Sequence, residues 1–480
     1  MSDRTPTARM RRYERLYIAG GWQPARGPEL LLRNPATEEP SAALRLATPA
    51  QAREAVNAAA AALAAWSSRP IEKRAAMLAA AGEGLLRGAD TLAPELSGEV
   101  GTPIAQSRRL HIETAAHVFK QAPAWARMPP TEIDLGRTLL CRVPLGVAAC
   151  ITPWNYPLYL AACKVVPALL AGATVVLKPS ELAPASMVRL AEALIEAGVP
   201  DGVFNMLFGG PETGEQLVSD PQVAVISFTG STTVGRRIAE SAGRLLKKVS
   251  LELGGKSASL VLSDAPLGPA VAGTLQKCFQ NAGQTCAALS RLLVPEGSFA
   301  EACALAADRA DALTIGDPLD PRTEIGPLIC ARQRDSALEQ IETALRQGAR
   351  RLAGEPRRLA GINRGYFVAP TVLAVADPGL EIFQTEAFAP ILTITPYQNE
   401  EEAVALANAT PFGLSGAVWS SDEEHALKVA RRIRAGSISI NGARTHPDAP
   451  FGGLGASGFG RERGPLALDE FRTTQALNRS

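Results

Sequence analysis

The chain has 480 residues, enough for two or three domains rather than one core. Its 46% hydrophobic and 20% charged residues are the balance of an ordinary folded globular protein. With 49 basic and 48 acidic residues, the formal net charge is +1, which supplies no electrostatic footprint for nucleic acid or an anionic membrane as partner. Seven cysteines, at 141, 150, 163, 278, 286, 303 and 330, form no C-x-x-C pair and accompany no histidine cluster. No metal site is therefore expected, and the odd, scattered set predicts free thiols in a reducing, cytoplasmic setting. Met1 to Arg15 is basic but has no apolar run, so it reads as a frayed polar leader and not as a secretory signal. No uninterrupted apolar stretch of about 18 residues exists, so no membrane span is predicted.

In chain order, Gln51 to Leu86 reads as helix, with Met77, Ala80, Ala81 and Leu85 on one stripe. Leu145 to Thr152 is a buried strand, Leu158 to Leu170 a helix with a kink or break at Pro167, and Thr174 to Lys178 a strand. Pro184 to Ala197 is a helix closed by Gly198. Phe204 to Phe208, Val223 to Phe228 and Val249 to Leu253 are strands, with Val234 to Leu246 helical between the last two. This alternation predicts a parallel, doubly wound α/β sheet, whose ligands sit beyond the carboxyl ends of the strands. A second α/β pattern follows a boundary near Gly254-Gly255. It has strands at Ala258 to Leu262, Leu292 to Val294, Ile391 to Thr395 and Ser437 to Ile440, and helices at Val271 to Asn281, Phe299 to Leu313 and Ala331 to Gln347.

Two glycine-rich runs invite a phosphate. Gly453-Leu454-Gly455-Ala456-Ser457-Gly458 matches G-x-G-x-x-G, but it follows prolines instead of a strand and is read as a flexible loop. Gly230-Ser231-Thr232-Thr233-Val234-Gly235 follows a strand and opens a helix, the right context for a pyrophosphate at a helix N-terminus, although an ordinary strand-turn-helix looks the same. Lys178-Pro179-Ser180-Glu181 places a lysine and a carboxylate at a strand end, where they suit ribose hydroxyls or simply a solvated turn.

Four strings in order then carry a resemblance: Thr152-Pro153-Trp154-Asn155-Tyr156-Pro157, Lys178-Pro179-Ser180-Glu181, Leu251-Glu252-Leu253-Gly254-Gly255-Lys256 and Gly283-Gln284-Thr285-Cys286. Together they resemble the hallmark segments of the aldehyde dehydrogenase superfamily, and Glu252 and Cys286 stand 34 residues apart, similar to the family's own interval. Weaker matches at Asn34 to Glu38, Glu386 to Phe388, Pro411 to Leu414 and Pro450 to Gly453 extend it over nearly the whole chain. The chemistry needs these residue types. An aldehyde is a poor hydride donor until a nucleophile makes it tetrahedral, and a thiolate is the natural nucleophile.

The resemblance implies that Cys286 is that nucleophile. It also implies that Asn155 donates to the oxyanion with the Cys286 backbone N–H, a donor worth about 2.7–4 kcal/mol. Glu252 is the implied general base for hydrolysis, which argues against a CoA-acylating member. Lys164 and Glu462 match a proton relay; a structural ion pair is the alternative. The cofactor positions implied are Thr152, Pro153, Trp154, Lys178, Ser180, Glu181, Gly230, Ser231, Gly254, Glu386 and Phe388, although Glu386-Ala387-Phe388-Ala389-Pro390 departs from the commoner family string. The cofactor expected is NAD. NADP is less favoured, because the Glu181 carboxylate repels a 2′-phosphate by roughly 1–4 kcal/mol at about 4 Å.

A substrate tunnel is implied along Tyr156, Leu160, Cys163, Gln280, Thr285, Ala287 and Phe451, with Arg444, Thr445 and His446 near its mouth. Arg444 suits the distal carboxylate of a semialdehyde; a solvated loop is the plain alternative. A non-catalytic protein on the same fold is a third reading, disfavoured by the intact set of Asn155, Glu252 and Cys286. The fold implied is two doubly wound domains plus a small β oligomerisation element. The cofactor domain covers 1–125 and 145–253, the catalytic domain 254–465, and the oligomerisation hairpin and strand 126–144 and 466–480. Thr131 to Val143 and Thr473 to Asn478 are its strands, exposed edges that predict a homodimer or homotetramer.

Overall fold

The computed structural model describes residues 10–128, 131–355 and 362–480. Residues 1–9 of the predicted leader, and 129 and 130 of the predicted hairpin segment, lie outside the described residues.

Apolar strands between helices pack into two sheets, as the alternating pattern requires. In the first sheet the core strands Val147–Ile151, Thr174–Lys178, Phe204–Met206, Val223–Thr229 and Lys248–Glu252 run parallel. Val147–Ile151 and Thr174–Lys178 are buried at every residue, the mark of a strand covered on both faces. Short antiparallel strands close both edges. Arg15–Ile18 pairs with Phe204–Met206 on one side, and Gly458–Phe459 pairs with Lys248–Glu252 on the other. The second sheet orders Arg350–Ala353, Thr371–Ala374, Ile391–Tyr397, Arg291–Pro295, Ala258–Val261, Ser415–Trp419 and Ser437–Ile440, parallel except at the first edge. One buried apolar cluster runs from Leu16 to Leu253 and takes in Leu468 and Phe471; the other runs from Ala258 to Ile433. A third sheet pairs Arg472–Asn478 with Thr138–Pro144, and that strand with Glu132–Asp134.

Several elements depart from the sequence reading. Arg11–Tyr13 is not leader: it pairs in parallel with Pro40–Arg45, which also takes Glu29–Arg33. The long first helix is two, Pro49–Ser67 and Ile71–Arg87. Pro70 starts the second, because a proline near a helix start loses no hydrogen bond. Its buried stripe is Ala75, Leu78, Ala81 and Leu85, while Ala80 faces solvent and Met77 is half-buried. Pro167, by contrast, breaks nothing. The helix Pro157–Ala171 continues through it with 13 of 15 residues buried, so packing on every side offsets the lost N–H. The helix read as Val271 to Asn281 is Leu267–Phe279. Gly453 to Gly458 is no flexible loop. Its Gly455–Ser457 turn leads into the edge strand beside Glu252, and a Cβ on Gly458 would stand 2.0 Å from the Leu251 carbonyl oxygen.

Candidate active site

The carboxyl ends of the first sheet's strands carry a row of polar residues, at the edge where an open α/β sheet forms its ligand crevice. Thr152 follows Val147–Ile151, and its N–H bonds the Lys178 carbonyl at 3.1 Å. The Thr152 and Thr229 hydroxyls are buried without a partner. Lys178 is buried, which lowers its ammonium pKa against the opposing charge of Glu181. Ser231 caps the helix Thr232–Arg244 by accepting from the Val234 N–H at 3.4 Å. The Gly230 N–H is tied to the Glu252 carbonyl at 3.0 Å. Ser180 closes its own turn by accepting from the Leu182 N–H at 3.3 Å. Orphaned hydroxyls, a helix N-terminus and a buried lysine at strand ends form a cradle that fits a dinucleotide. Across the crevice, Trp154 and Phe388 meet edge to face with centroids 5.5 Å apart.

Glu386 comes from the second sheet to the Gly254-Gly255 turn and accepts the Gly255 N–H at 3.0 Å. A Cβ on Gly254 would stand 2.4 Å from Glu386 Oε2, so a side chain there would force the carboxylate to shift. Burial raises Glu386 to about 7, against the pull of that N–H and of Lys256.

Cys286 is delivered by a backbone that few sequences adopt. Asn281 (φ 53°, ψ 39°) and Ala282 (φ 54°, ψ 36°) are left-handed, and Gly283 follows at φ 73°. For non-glycine residues this costs roughly 1–2 kcal/mol each, so surrounding bonds must hold it. Gln284 Oε1 accepts the Ile329 N–H at 2.8 Å. The Gln284 carbonyl accepts from Asn155 Nδ2 at 2.9 Å, which brings the predicted oxyanion donor within two residues of the predicted nucleophile. One N–H of the Asn155 amide remains available.

Glu252 is buried, with neither carboxylate oxygen hydrogen-bonded. Burial, then the charge of Glu462, push it well above the usual carboxylate range, with Lys164 and Arg461 pulling the other way. Cys286 is likewise pushed up, by burial first and then by the charges of Glu386, Glu252 and Glu462. Lys164, inside the buried helix, forms an ion pair with Glu462 and donates to Ser227 Oγ at 3.1 Å. Glu462 is set by a two-bond bridge to Phe451, at 2.7 and 2.8 Å.

Of the tunnel residues, Tyr156, Thr285 and Gln280 meet: the tyrosine oxygen lies 2.7 Å from Thr285 Oγ1 and accepts from Gln280 Nε2 at 3.0 Å. Phe451 lies under the Arg463 guanidinium, 5.7 Å from ring centroid to Cζ. Leu160 and Ala287 are half-buried. Cys163 is buried beside Tyr159, Glu462 and Arg463. Arg444 and His446 are exposed, and His446 Nδ1 is occupied by the Asp448 N–H at 3.1 Å. Sequence reasoning missed Ser227, Arg463, and the trio Thr102, His111 and Asn281 beneath the cysteine turn. It also missed Arg109 and Lys277. Burial and then the charges of Arg109 and Arg444 depress the Lys277 ammonium, so three cations from separate elements gather there.

The aldehyde dehydrogenase family model matches residues 22–477. A 3-succinoylsemialdehyde-pyridine dehydrogenase of a Pseudomonas species is 39% identical over 98% of this chain and 99% of that protein. A Pseudomonas syringae aldehyde dehydrogenase mutant, solved with NAD+ and octanal, is 38% identical and superposes at TM-score 0.95 over 97% of this chain and 96% of its own. A Mycobacterium tuberculosis aldehyde dehydrogenase solved with NAD+ is 37% identical, at TM-score 0.95 over 98% of this chain and 99% of its own.

Proposed function

The chain belongs to the aldehyde dehydrogenase family, and from that premise we propose that it oxidises an aldehyde to the carboxylic acid through a covalent Cys286 adduct. The observation that carries this reading is the clustering of a half-buried thiol, an unpartnered buried carboxyl and an amide donor. The Cys286 thiol gives up its proton to bulk water, and the thiolate sulfur attacks the aldehyde carbon. The oxyanion accepts from the Cys286 backbone N–H and Asn155 Nδ2. NAD, the ligand of solved relatives, supplies the hydride acceptor when bound. The carbon is left as a thioester on Cys286. Glu252 then takes a proton from water, whose oxygen cleaves the thioester to release the acid and restore the sulfur. Glu462 and Lys164 stand behind Glu252 as the route for its proton. Thr152, Pro153, Trp154, Lys178, Ser180, Glu181, Gly230, Ser231, Gly254, Glu386 and Phe388 hold the cofactor, and Glu181 favours NAD over NADP by repelling a 2′-phosphate. Unbridged cysteines suit a cytoplasmic setting.

A second reading, a semialdehyde as substrate, is favoured by the cation group. Arg109, Lys277 and Arg444 approach one another with no carboxylate paired to any of them among the described residues. Like charges gathered without counter-ions suit an anionic group on the substrate. The test is NADH formation from neutral, aromatic and carboxylated aldehydes, wild type beside Cys286→Ala and Arg444→Ala, with NADP run in parallel. Loss of all turnover in Cys286→Ala is expected; retained turnover defeats the mechanism. A KM raised by Arg444→Ala for carboxylated aldehydes alone supports the semialdehyde reading, and equal effects on both classes rule it out.

A further inference from the structure

Beneath the turn that carries Cys286 lies a buried polar chain that the mechanism above does not use. Thr102, His111 and Asn281 are each 1% exposed or less. Thr102 Oγ1 donates to Asn281 Oδ1 at 2.6 Å, and Asn281 Nδ2 donates to the Asn155 carbonyl at 3.0 Å. The threonine's only proton is committed to Asn281, so its contact with His111 Nε2 at 2.9 Å requires the ring to donate. His111 is therefore the neutral Nε2–H tautomer. Burial fits this state by holding its pKa down, to about 3. Every bond in the series points the same way, from His111 through Thr102 and Asn281 to Asn155, and such bonds polarise one another. The Asn155 side chain then donates to the Gln284 carbonyl, and the Gln284 N–H returns to the Asn281 carbonyl at 3.1 Å. That closes a ring around the left-handed turn. His111 sits on a single π-helical turn, Arg108–Glu113, a bulge that re-aims a side chain and is common at functional sites. Its ring lies 5.5 Å from that of Tyr156.

We propose that Asn281, braced through Thr102 by neutral His111, is a positioning residue that holds the strained Cys286 turn and the Asn155 donor in mutual register. The proposal rests on the catalytic reading of Cys286 and Asn155. The Asn281 side chain bonds the backbone of Asn155, and the Asn281 carbonyl accepts the Gln284 N–H of the turn. Releasing it lets nucleophile and oxyanion donor drift apart. A displacement of about 1 Å at such a distance from the chemistry is worth up to roughly 100-fold in rate.

Thr102→Val keeps the shape and removes the hydroxyl, whereas Thr102→Ser keeps the hydroxyl and removes the methyl. Steady-state rates with NAD and the best aldehyde are measured for both, with thermal melts and with Cys286→Ala alongside. The expected result is a kcat lower by roughly 10- to 100-fold in Thr102→Val, with KM for NAD unchanged and the fold intact, and a return to within about threefold of wild type in Thr102→Ser. Wild-type kcat in a folded Thr102→Val overturns the proposal. So does an equal fall in both variants, which assigns the site to methyl packing. Should Thr102→Val not fold, His111→Phe decides: it keeps a ring against Tyr156 but donates nothing, and a several-fold loss of kcat at unchanged NAD KM is expected, with no loss overturning the proposal. Activity surviving in Cys286→Ala defeats the catalytic reading and this proposal with it; its loss there, beside full activity in Thr102→Val, defeats this proposal alone.

Discussion

Glu252 meets two demands that pull against each other. As the proposed base for hydrolysis it must give up its proton, and burial favours keeping it. The Lys164 charge and Arg461 relieve part of this, and Glu462 works against it. The same holds at Cys286, where burial and three carboxylates oppose the thiolate. In the proposed mechanism both groups act deprotonated, so kcat/KM is expected to climb with pH through neutrality, and a flat profile from pH 6 to 9 would contradict these roles. Glu252→Gln separates the two half-reactions. An amide cannot accept the water's proton, so steady-state turnover should fall by roughly 10²–10⁴ while stopped-flow shows a first burst of NADH. Steady turnover at the wild-type rate would remove Glu252 from the mechanism. Candidates such as these stand out in the sequence because the chemistry of the resembled family forces their types into short strings. Thr102 and His111 do not: nothing local marks a buried threonine or a histidine as the support of a loop far along the chain.

At the scale of elements, periodicity found the buried parallel strands and missed what depends on partners. Ser415–Trp419 is central in the second sheet but contains Ser415 and Gly416, and only its neighbours reveal it. Arg11–Tyr13 carries no apolar signal at all and is a strand because Pro40–Arg45 offers it an edge. Pro70 and Pro167 differ by context, one at a helix start and one deep in a helix sealed by packing. Packing between elements also hides a titrating group. Glu99, on the helix Ala89–Val100, is directed at the start of the helix Pro184–Glu196, where it accepts the Ala185 N–H at 3.2 Å and lies 3.5 Å from the Tyr13 hydroxyl. Burial raises it to about 8, in spite of that N–H. A carboxyl raised in the folded state stabilises the fold while it holds its proton. That contribution is complete below the ordinary carboxylate range near 4.3 and is lost as pH rises to about 8. Glu99→Gln keeps an acceptor for Ala185 and never ionises. The difference in Tm, variant minus wild type, should therefore grow in the variant's favour from pH 5 to pH 8.5. Taking the difference at each pH removes the contributions of His111 and Lys256, which titrate equally in both proteins. A difference that stays constant would show that Glu99 is already ionised in the folded chain at pH 5.

For the whole molecule, the small sheet of Arg472–Asn478, Thr138–Pro144 and Glu132–Asp134 poses a question that the two large sheets do not. Sheets buried between helices need nothing further, but among the described residues Arg472–Asn478 pairs only with Thr138–Pro144 and has six of its seven residues exposed. On the same small sheet Ile133 and Leu477 are exposed, and Leu135 extends past its edge strand at 61% exposure. Open strand edges carrying apolar side chains are avoided in proteins that stay monomeric, because they template further pairing. The sequence suggested these strands as an oligomerisation element only through the family resemblance, since neither is apolar enough to stand out. We infer that a second copy of the chain covers this sheet, and closed twofold symmetry is the commonest way for it to do so. Light scattering at micromolar concentration is expected to give twice or four times the 50.4 kDa of one chain. Leu477→Asp, which sets a charge on the exposed edge far from Cys286, should lower that mass or weaken the assembly on dilution. A wild-type mass of 50.4 kDa would mean that the edge stays open in solution.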